Sequence, residues 1–296
     1  MFDYAALGDL YNNEIIAAQS GHVLTLTINA PERMNTMGYH VNTGITQALN
    51  MAADDHSIYV VVFTGAGDKA FSAGGNLDGG GASSGMRQES GEGKPPPTVS
   101  GAITNLRHMM SSSQLLRESH FVSIAAINGA CAGAALSWAC ACDLRLGAEN
   151  CLFRTGFLTA GLSGDFGGTW LLPRVVGMAK AREMYLLNAK IRGEEAKRIG
   201  LISQWIPLRG AAFQHEVQQL AQQLASTAPL ALKRIKANLV DADRTTFAEH
   251  LDLEAERHAR SGFHPDAQEA GTSFLQKRTP TFIGIQQRKS WEASKL

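Results

Sequence analysis

Apolar and polar residues alternate along "HVLTLTIN" (22–29), the period-two signature of a half-buried strand. "PERMN" (31–35) breaks that pattern with a turn. From His40, about fifteen residues place apolar side chains at helical spacing. "IYVVVFTG" (58–65) is an unbroken apolar run, which predicts a strand buried on both faces. "SIAAIN" (123–128) predicts another strand, "AGAALSWACA" (132–141) a helix of small residues and "LRLGAE" (144–149) a further strand. Strands alternating with helices in this way predict an α/β protein with crossover connections. From Gly177 onward the chain reads as helical apart from "LISQWIP" (201–207). The long amphipathic, charged run Ala211–Gly262 predicts a helical tail that packs on the first part or on another subunit. The chain therefore divides into residues 1–210 and a helical C-terminal region, 211–296.

Two stretches depart from this rhythm. Asn76–Ser100, with "GGGASSG" and "GEGKPPP", is the low-complexity segment and reads as a surface loop or as a lid over a site. "FVSIAAINGACAGAALSWACAC" (121–142) carries no charge and has Gly129 and Gly133 at GxxxG spacing, so it is long enough to be tested as a membrane span. The polar Asn128 at its middle, the β-like start and the lack of flanking basic residues favour a buried strand, turn and helix instead.

Composition narrows the function classes. With 296 residues, 44% of them hydrophobic, the chain can build a substantial core. Lys plus Arg and Asp plus Glu balance at 27 each, so no excess charge points to nucleic acid or to an anionic membrane surface. Cys131, Cys140, Cys142 and Cys151 lie close together among small residues, which predicts buried free thiols and a reducing, cytoplasmic setting. The N-terminal "MFDYAALGDL" lacks the pattern of a secretory leader. No metal is expected: Cys140-Ala-Cys142 lacks zinc spacing, and His250, Glu254 and His258 read as exposed pairs on a helix.

The chemistry is sought at the glycines. Neither G-x-G-x-x-G nor G-x-x-x-x-G-K-[ST] occurs, which excludes a phosphate cradle of those types. Gly161-Leu-Ser163-Gly-Asp165 approaches the G-x-S-x-G elbow but has Asp where the last Gly belongs. What remains is "FSAGGNL" (71–77), a turn at a strand end that presents backbone N–H groups, and a second strand, glycine turn and helix in "INGACAGAALSWACAC". Two N–H donors from two such turns can share one oxyanion.

With these segments the chain resembles the crotonase, or enoyl-CoA hydratase/isomerase, superfamily. The resemblance runs through "INAPERMNTM", "VVVFTGAGDKAFSAGGNL", "INGACAGAALSWACACDLRLGAE", "GLSGDFGGTWLLPRVVG" and "EEAKRIGLI", in the family's order, from about residue 14 to Phe282. It implies a crotonase-like spiral of ββα repeats over 1–210 carrying the acyl-CoA site. It also implies that 211–296 serves assembly into homotrimers or hexamers and contact with CoA. Coenzyme A would be part of the substrate, with no separate cofactor. By position, the N–H groups of Gly75 and Ala134 match the oxyanion hole that holds a thioester enolate. Arg33, Met34, Lys69 and the Ala73 carbonyl match the contacts to the nucleotide end of CoA, and Phe263 and Lys277 match a pair offered by a neighbouring subunit. For Lys69 and Lys277 a simple solvated charge is the alternative.

The departures are informative. Where the hydratases carry two water-holding glutamates, this chain has Ser137 and Phe157. Each positioned acid or base contributes roughly 10²–10⁴ in rate, so ordinary hydration loses its main support. Asp165 remains at a position where several isomerases of the superfamily carry an acid/base aspartate, with Phe157, Phe166 and Trp170 close in sequence to raise its pKa. A helix N-cap is the competing reading of Asp165. Asp143 resembles a structural position of the family and Trp138 reads as core. Three functions fit: an enoyl-CoA isomerase; another crotonase reaction (hydratase, lyase, thioester hydrolase or decarboxylase) with Asp165 as base or nucleophile and Ser137 on water; and a scaffold that binds acyl-CoA without turnover.

Overall fold

The computed structural model describes residues 2–76 and 98–285. The chain opens with helix α1 (Ala6–Leu10) and the hairpin β1 (Ile15–Ser20) and β2 (Val23–Ile28), followed by α2 (Tyr39–Asp54). Three ββα units come next. In the first, β3 (Val60–Gly65) and β4 (Ala70–Ser72) precede α3 (Val99–Met109) and α4 (Ser111–Glu118). The second is β5 (Val122–Ile127), β6 (Ala130–Ala132) and α5 (Ala134–Ala141). The third is β7 (Leu144–Gly147), β8 (Leu152–Arg154), a 3-10 turn at Phe157–Ala160 and α6 (Gly168–Val176). The chain continues through α7 (Met178–Leu187), β9 (Ile191–Arg192), α8 (Gly193–Arg198) and β10 (Gln204–Trp205). It ends in α9 (Gly210–Ala225), α10 (Pro229–Asp241), α11 (Phe247–Gly262) and α12 (Pro265–Gln276).

The long strand of each unit joins a six-stranded sheet in the order β1-β2-β3-β5-β7-β10, parallel except for β1. The short strand that follows it joins a second sheet, β4-β6-β8-β9, in which β4, β6 and β8 run parallel. Successive turns of the spiral thus stack side by side, and the loops after β4, β6 and β8 emerge at one edge. Two buried asparagines fix the step between the sheets. Asn128 accepts from Gly65 N and donates to the carbonyls of Gly65, Gly67 and Ala70. Asn35 accepts from Ala30 N and donates to Ala66 and Ala70. These polar bonds satisfy backbone groups that would otherwise be buried unpaired where the chain leaves the sheet.

One face of the large sheet packs on α2, α4 and α5 around Phe63, Phe71, Trp138 and Phe153. The other face packs on α9 through Phe213, Val217 and Ala221. The uncharged stretch 121–142 is β5, β6 and α5 inside this core. No helix among the described residues is long and apolar enough to cross a membrane. The run Ala211–Gly262 is helical as expected, in three pieces: α9 ends at Ala225, Pro229 starts α10, and Thr246 caps α11 through a reciprocal bond with Glu249. Of the predicted loop Asn76–Ser100, residues 77–97 lie outside the described residues, and Thr98 is already the N-cap of α3, its hydroxyl accepting from Gly101 N at 3.0 Å.

Candidate active site

The turn after β4 commits most of its N–H groups. Ala73 N donates to Met34 O, Gly74 N to Ser72 Oγ and Asn76 N to Met37 O. No described residue accepts from Gly75 N. The turn after β6 behaves in the same way. Gly133 N donates to Arg154 O, while Ala134 opens α5, where the first N–H groups of a helix have no internal acceptor. Glycine is required at both corners. Gly133 adopts φ 58°, ψ −129°, a region closed to other residues. Gly74 has φ 92°, and a Cβ there would lie 2.6 Å from Ala132 O and 3.5 Å from Gly133 Cα. The two turns therefore touch at the positive end of α5.

One helical turn beyond, Ser137 N bonds to Gly133 O. The Ser137 side chain is buried and its Oγ has no hydrogen-bond partner. The loop that leads into α6 covers this part of α5. Phe166 meets Trp138 edge-on at 5.4 Å, and Gly168 sits against Ser137. Asp165 lies in that loop. It is not the helix cap: α6 is capped at Gly167, without a side-chain bond, and Asp165 Oδ1 is buried with no partner. Burial pushes its carboxyl from 3.8 up to about 6. A carboxyl poised there exchanges a proton readily near neutral pH. Phe157, at the end of the β8 turn, is buried and stacks on Tyr185 at 6.2 Å. The apolar wall expected around Asp165 thus includes Phe166 against Trp138, whereas Trp170 is half exposed and stacks under Arg174.

The residues matched to CoA fall into two groups. Met34 and Ala73 are joined by the Ala73 N to Met34 O bond, and Lys69 lines a 270 Å³ hollow with Pro31, Glu32 and Asn35. These positions therefore share one edge. Arg33 also stands there, with its guanidinium held by Glu14 at 2.8 Å and Glu32 at 3.2 Å. Phe263 and Lys277 stand elsewhere, as the exposed C-caps of α11 and α12. Sequence reasoning missed Tyr185 and Gly168. "AREMYLLNAK" reads as an ordinary amphipathic helix, and only the packing of α7 on α6 turns Tyr185 toward Ser137. Among the described residues no group of three metal-ligating side chains converges, and all four thiols are buried and free.

The profile of the enoyl-CoA hydratase/isomerase family matches residues 18–286. The chain belongs to the enoyl-CoA hydratase/isomerase family. Its relatives within the family carry different reactions. The chain is 32% identical to the 1,2-epoxyphenylacetyl-CoA isomerase of Escherichia coli K12, over 88% of this chain and 95% of that protein. It is 34% identical to a probable enoyl-CoA hydratase of Rhodobacter capsulatus, over 88% and 93%. Among solved structures, an enoyl-CoA hydratase from Polaromonas sp. JS666 superposes with a TM-score of 0.80 at 31% identity, covering 90% of this chain and 99% of that one. The mixed α/β architecture with its parallel sheet and helical C-terminal region is that of the crotonase fold.

Proposed function

We propose that this family member is an enoyl-CoA isomerase, moving a double bond between the β,γ and α,β positions of an acyl-CoA thioester. The observation that carries this reading is the Asp165 carboxyl, its Oδ1 buried and unpartnered and its pKa raised to about 6, in a site where the two hydratase glutamates are Ser137 and Phe157. Asp165 takes a proton from the α-carbon. The charge moves onto the thioester oxygen, where the N–H groups of Gly75 and Ala134 hold it, and Asp165 returns the proton at the γ-carbon. The bonds balance with one acid/base group and no water consumed. Removing one oxyanion donor costs on the order of 10²–10³ in rate, and removing the acid/base roughly 10²–10⁴.

In this reading Arg33, Met34, Lys69 and Ala73 line the nucleotide end of CoA, with Arg33 contributing mainly through the edge it shares with Met34. Phe263 and Lys277 are offered to a neighbouring subunit. The exposed face of the last helices supports such an assembly: α11 buries none of its residues within the chain, and Phe247, Phe263, Phe274 and Leu275 are all exposed. A homotrimer, alone or paired, would cover them. A second reading, water addition with Asp165 as base, is supported by the unpartnered Ser137 Oγ. Turnover of matched trans-2- and trans-3-enoyl-CoA thioesters, aliphatic and aryl, separates the two by product mass. The isomerase reading expects conversion of the 3-enoyl substrates with no change in mass; gain of water by the 2-enoyl substrates alone would overturn it.

A further inference from the structure

Tyr185 lies on α7, outside every motif of the sequence. Its ring is packed, stacked on Phe157 with an interplanar angle of 16° and with its edge 4.0 Å from where a Gly164 Cβ would stand. Tyr185 is only partly buried, and its hydroxyl makes no hydrogen bond to another described residue. Gly168 shows where that hydroxyl goes. Its backbone is not strained, yet a Cβ at this position would stand 2.2 Å from Ser137 Oγ and 2.6 Å from the Tyr185 hydroxyl. The space a side chain would take at Gly168 is filled by two oxygens, no more than about 4.8 Å apart, the sum of those two distances. Gly168 N in turn donates to the backbone carbonyl of Asp165 at 3.0 Å, which keeps the two residues in one turn, and the Asp165 charge reaches the Tyr185 phenol. Ser137 Oγ and Asp165 Oδ1 are both buried and unpartnered.

We infer that Tyr185 is a positioning residue: with Ser137 it brackets the Asp165 carboxyl through one water molecule and holds it in the orientation from which it moves a proton. This rests on the reading of Asp165 as the acid/base and names what controls it. Hydroxyl groups donate to an ionised carboxylate and so stabilise the charged form against burial. The titratable groups facing this space are few. From α5 there is Cys140, whose thiol burial pushes up to about 11, and from α7 Tyr185, whose phenol burial also pushes up, so both stay neutral near pH 7. Arg174 of α6 is turned onto Trp170 and toward Asp243, and Lys180 and Glu183 of α7 pair with each other. Asp165 is thus the group that titrates there.

The test compares wild type with Tyr185→Phe, Ser137→Ala, the double variant and Asp165→Asn, reading kcat and KM for a 3-enoyl-CoA thioester from pH 5 to 9. Tyr185→Phe keeps the ring and its stack on Phe157. It is expected to leave KM within about twofold, lower kcat roughly tenfold and move the acid limb of the rate profile to higher pH by on the order of half a unit or more. Ser137→Ala moves it the same way, and the double variant moves it by less than the two shifts together, because the hydroxyls serve one carboxyl. An infrared titration of the Asp165 carboxyl, taken as wild type minus Asp165→Asn, reads the same shift without turnover and serves if a variant is inactive. An unchanged acid limb and carboxyl titration in Tyr185→Phe overturns the inference. Retention of wild-type turnover by Asp165→Asn overturns the acid/base reading beneath it, and the two failures are told apart by which variant shows them.

Discussion

Replacing Asp165 by Asn should cost activity and add stability, and the size of the gain follows from burial. The folded protein holds this carboxyl at about 6 against 3.8 for an exposed aspartate, and burial is the cause. Between those two values the unfolded chain has released a proton that the folded chain still binds, so wild-type stability falls as pH rises through the interval and levels off above it. With about 1.4 kcal/mol for each pH unit, ionised Asp165 costs the fold roughly 3 kcal/mol near pH 7.5 and between one and two near pH 5. Asparagine keeps the shape and carries no charge to desolvate. Urea unfolding of the two proteins at one protein concentration, at pH 5 and 7.5, should find the variant more stable at both, with the gap widening toward pH 7.5. A gap that stays constant, or a variant less stable than wild type at pH 7.5, would refute the reasoning, since it would mean that hydrogen bonds to the carboxylate cancel the whole cost of its burial. The trade of stability for a poised group is the one expected where strain serves chemistry.

Other outcomes follow from the same geometry. Gly133→Ala forces a side chain into φ 58°, ψ −129° and displaces the Ala134 N–H, so kcat should fall at least about 10²-fold while CoA affinity, read by calorimetry, changes little. Lys236→Met removes the ammonium that bonds to Leu116 O, Phe121 O and the Asp143 carboxylate, and should cost roughly 3 kcal/mol of unfolding free energy in urea. Asn128→Ala removes hydrogen bonds to four backbone groups at the step between the sheets, of which Ala70 O keeps its bond from Asn35, and should cost about 2–4 kcal/mol in the same assay. The four cysteines, buried and with thiols pushed above their usual range, should be silent to a thiol-reactive disulfide in native buffer and react fully once unfolded.

The long strands were legible because burial on both faces leaves an apolar run: "YVVVFTG" and "SIAAIN" become β3 and β5, wholly buried. The short strands Ala70–Ser72, Ala130–Ala132 and Leu152–Arg154 have no such signal, since three residues are too few for a period; the resemblance, and not the pattern, implied the second sheet. The glycine turns were legible for a physical reason, since the positive φ at Gly74 and Gly133 admits little else. Asp165 could be seen as a candidate, but its freedom from a capping role depends on α6 starting at Gly168, which local sequence does not determine. Tyr185 and Gly168 were invisible because their meeting joins two helices through tertiary packing alone. The breaks at Pro229 and Thr246 carried local signals that the amphipathic pattern of Ala211–Gly262 masked.

The most direct test of the account is a single turnover of a trans-3-enoyl-CoA thioester in D2O by wild type and Asp165→Asn, following the conjugated thioester by absorbance and the product by mass. The account predicts a 2-enoyl product with no added water and at most one deuterium from the shuttled proton, formed at least about 10²-fold more slowly by the variant while CoA affinity is kept. A variant that converts the substrate at the wild-type rate, or a wild-type product carrying an added water, would contradict it.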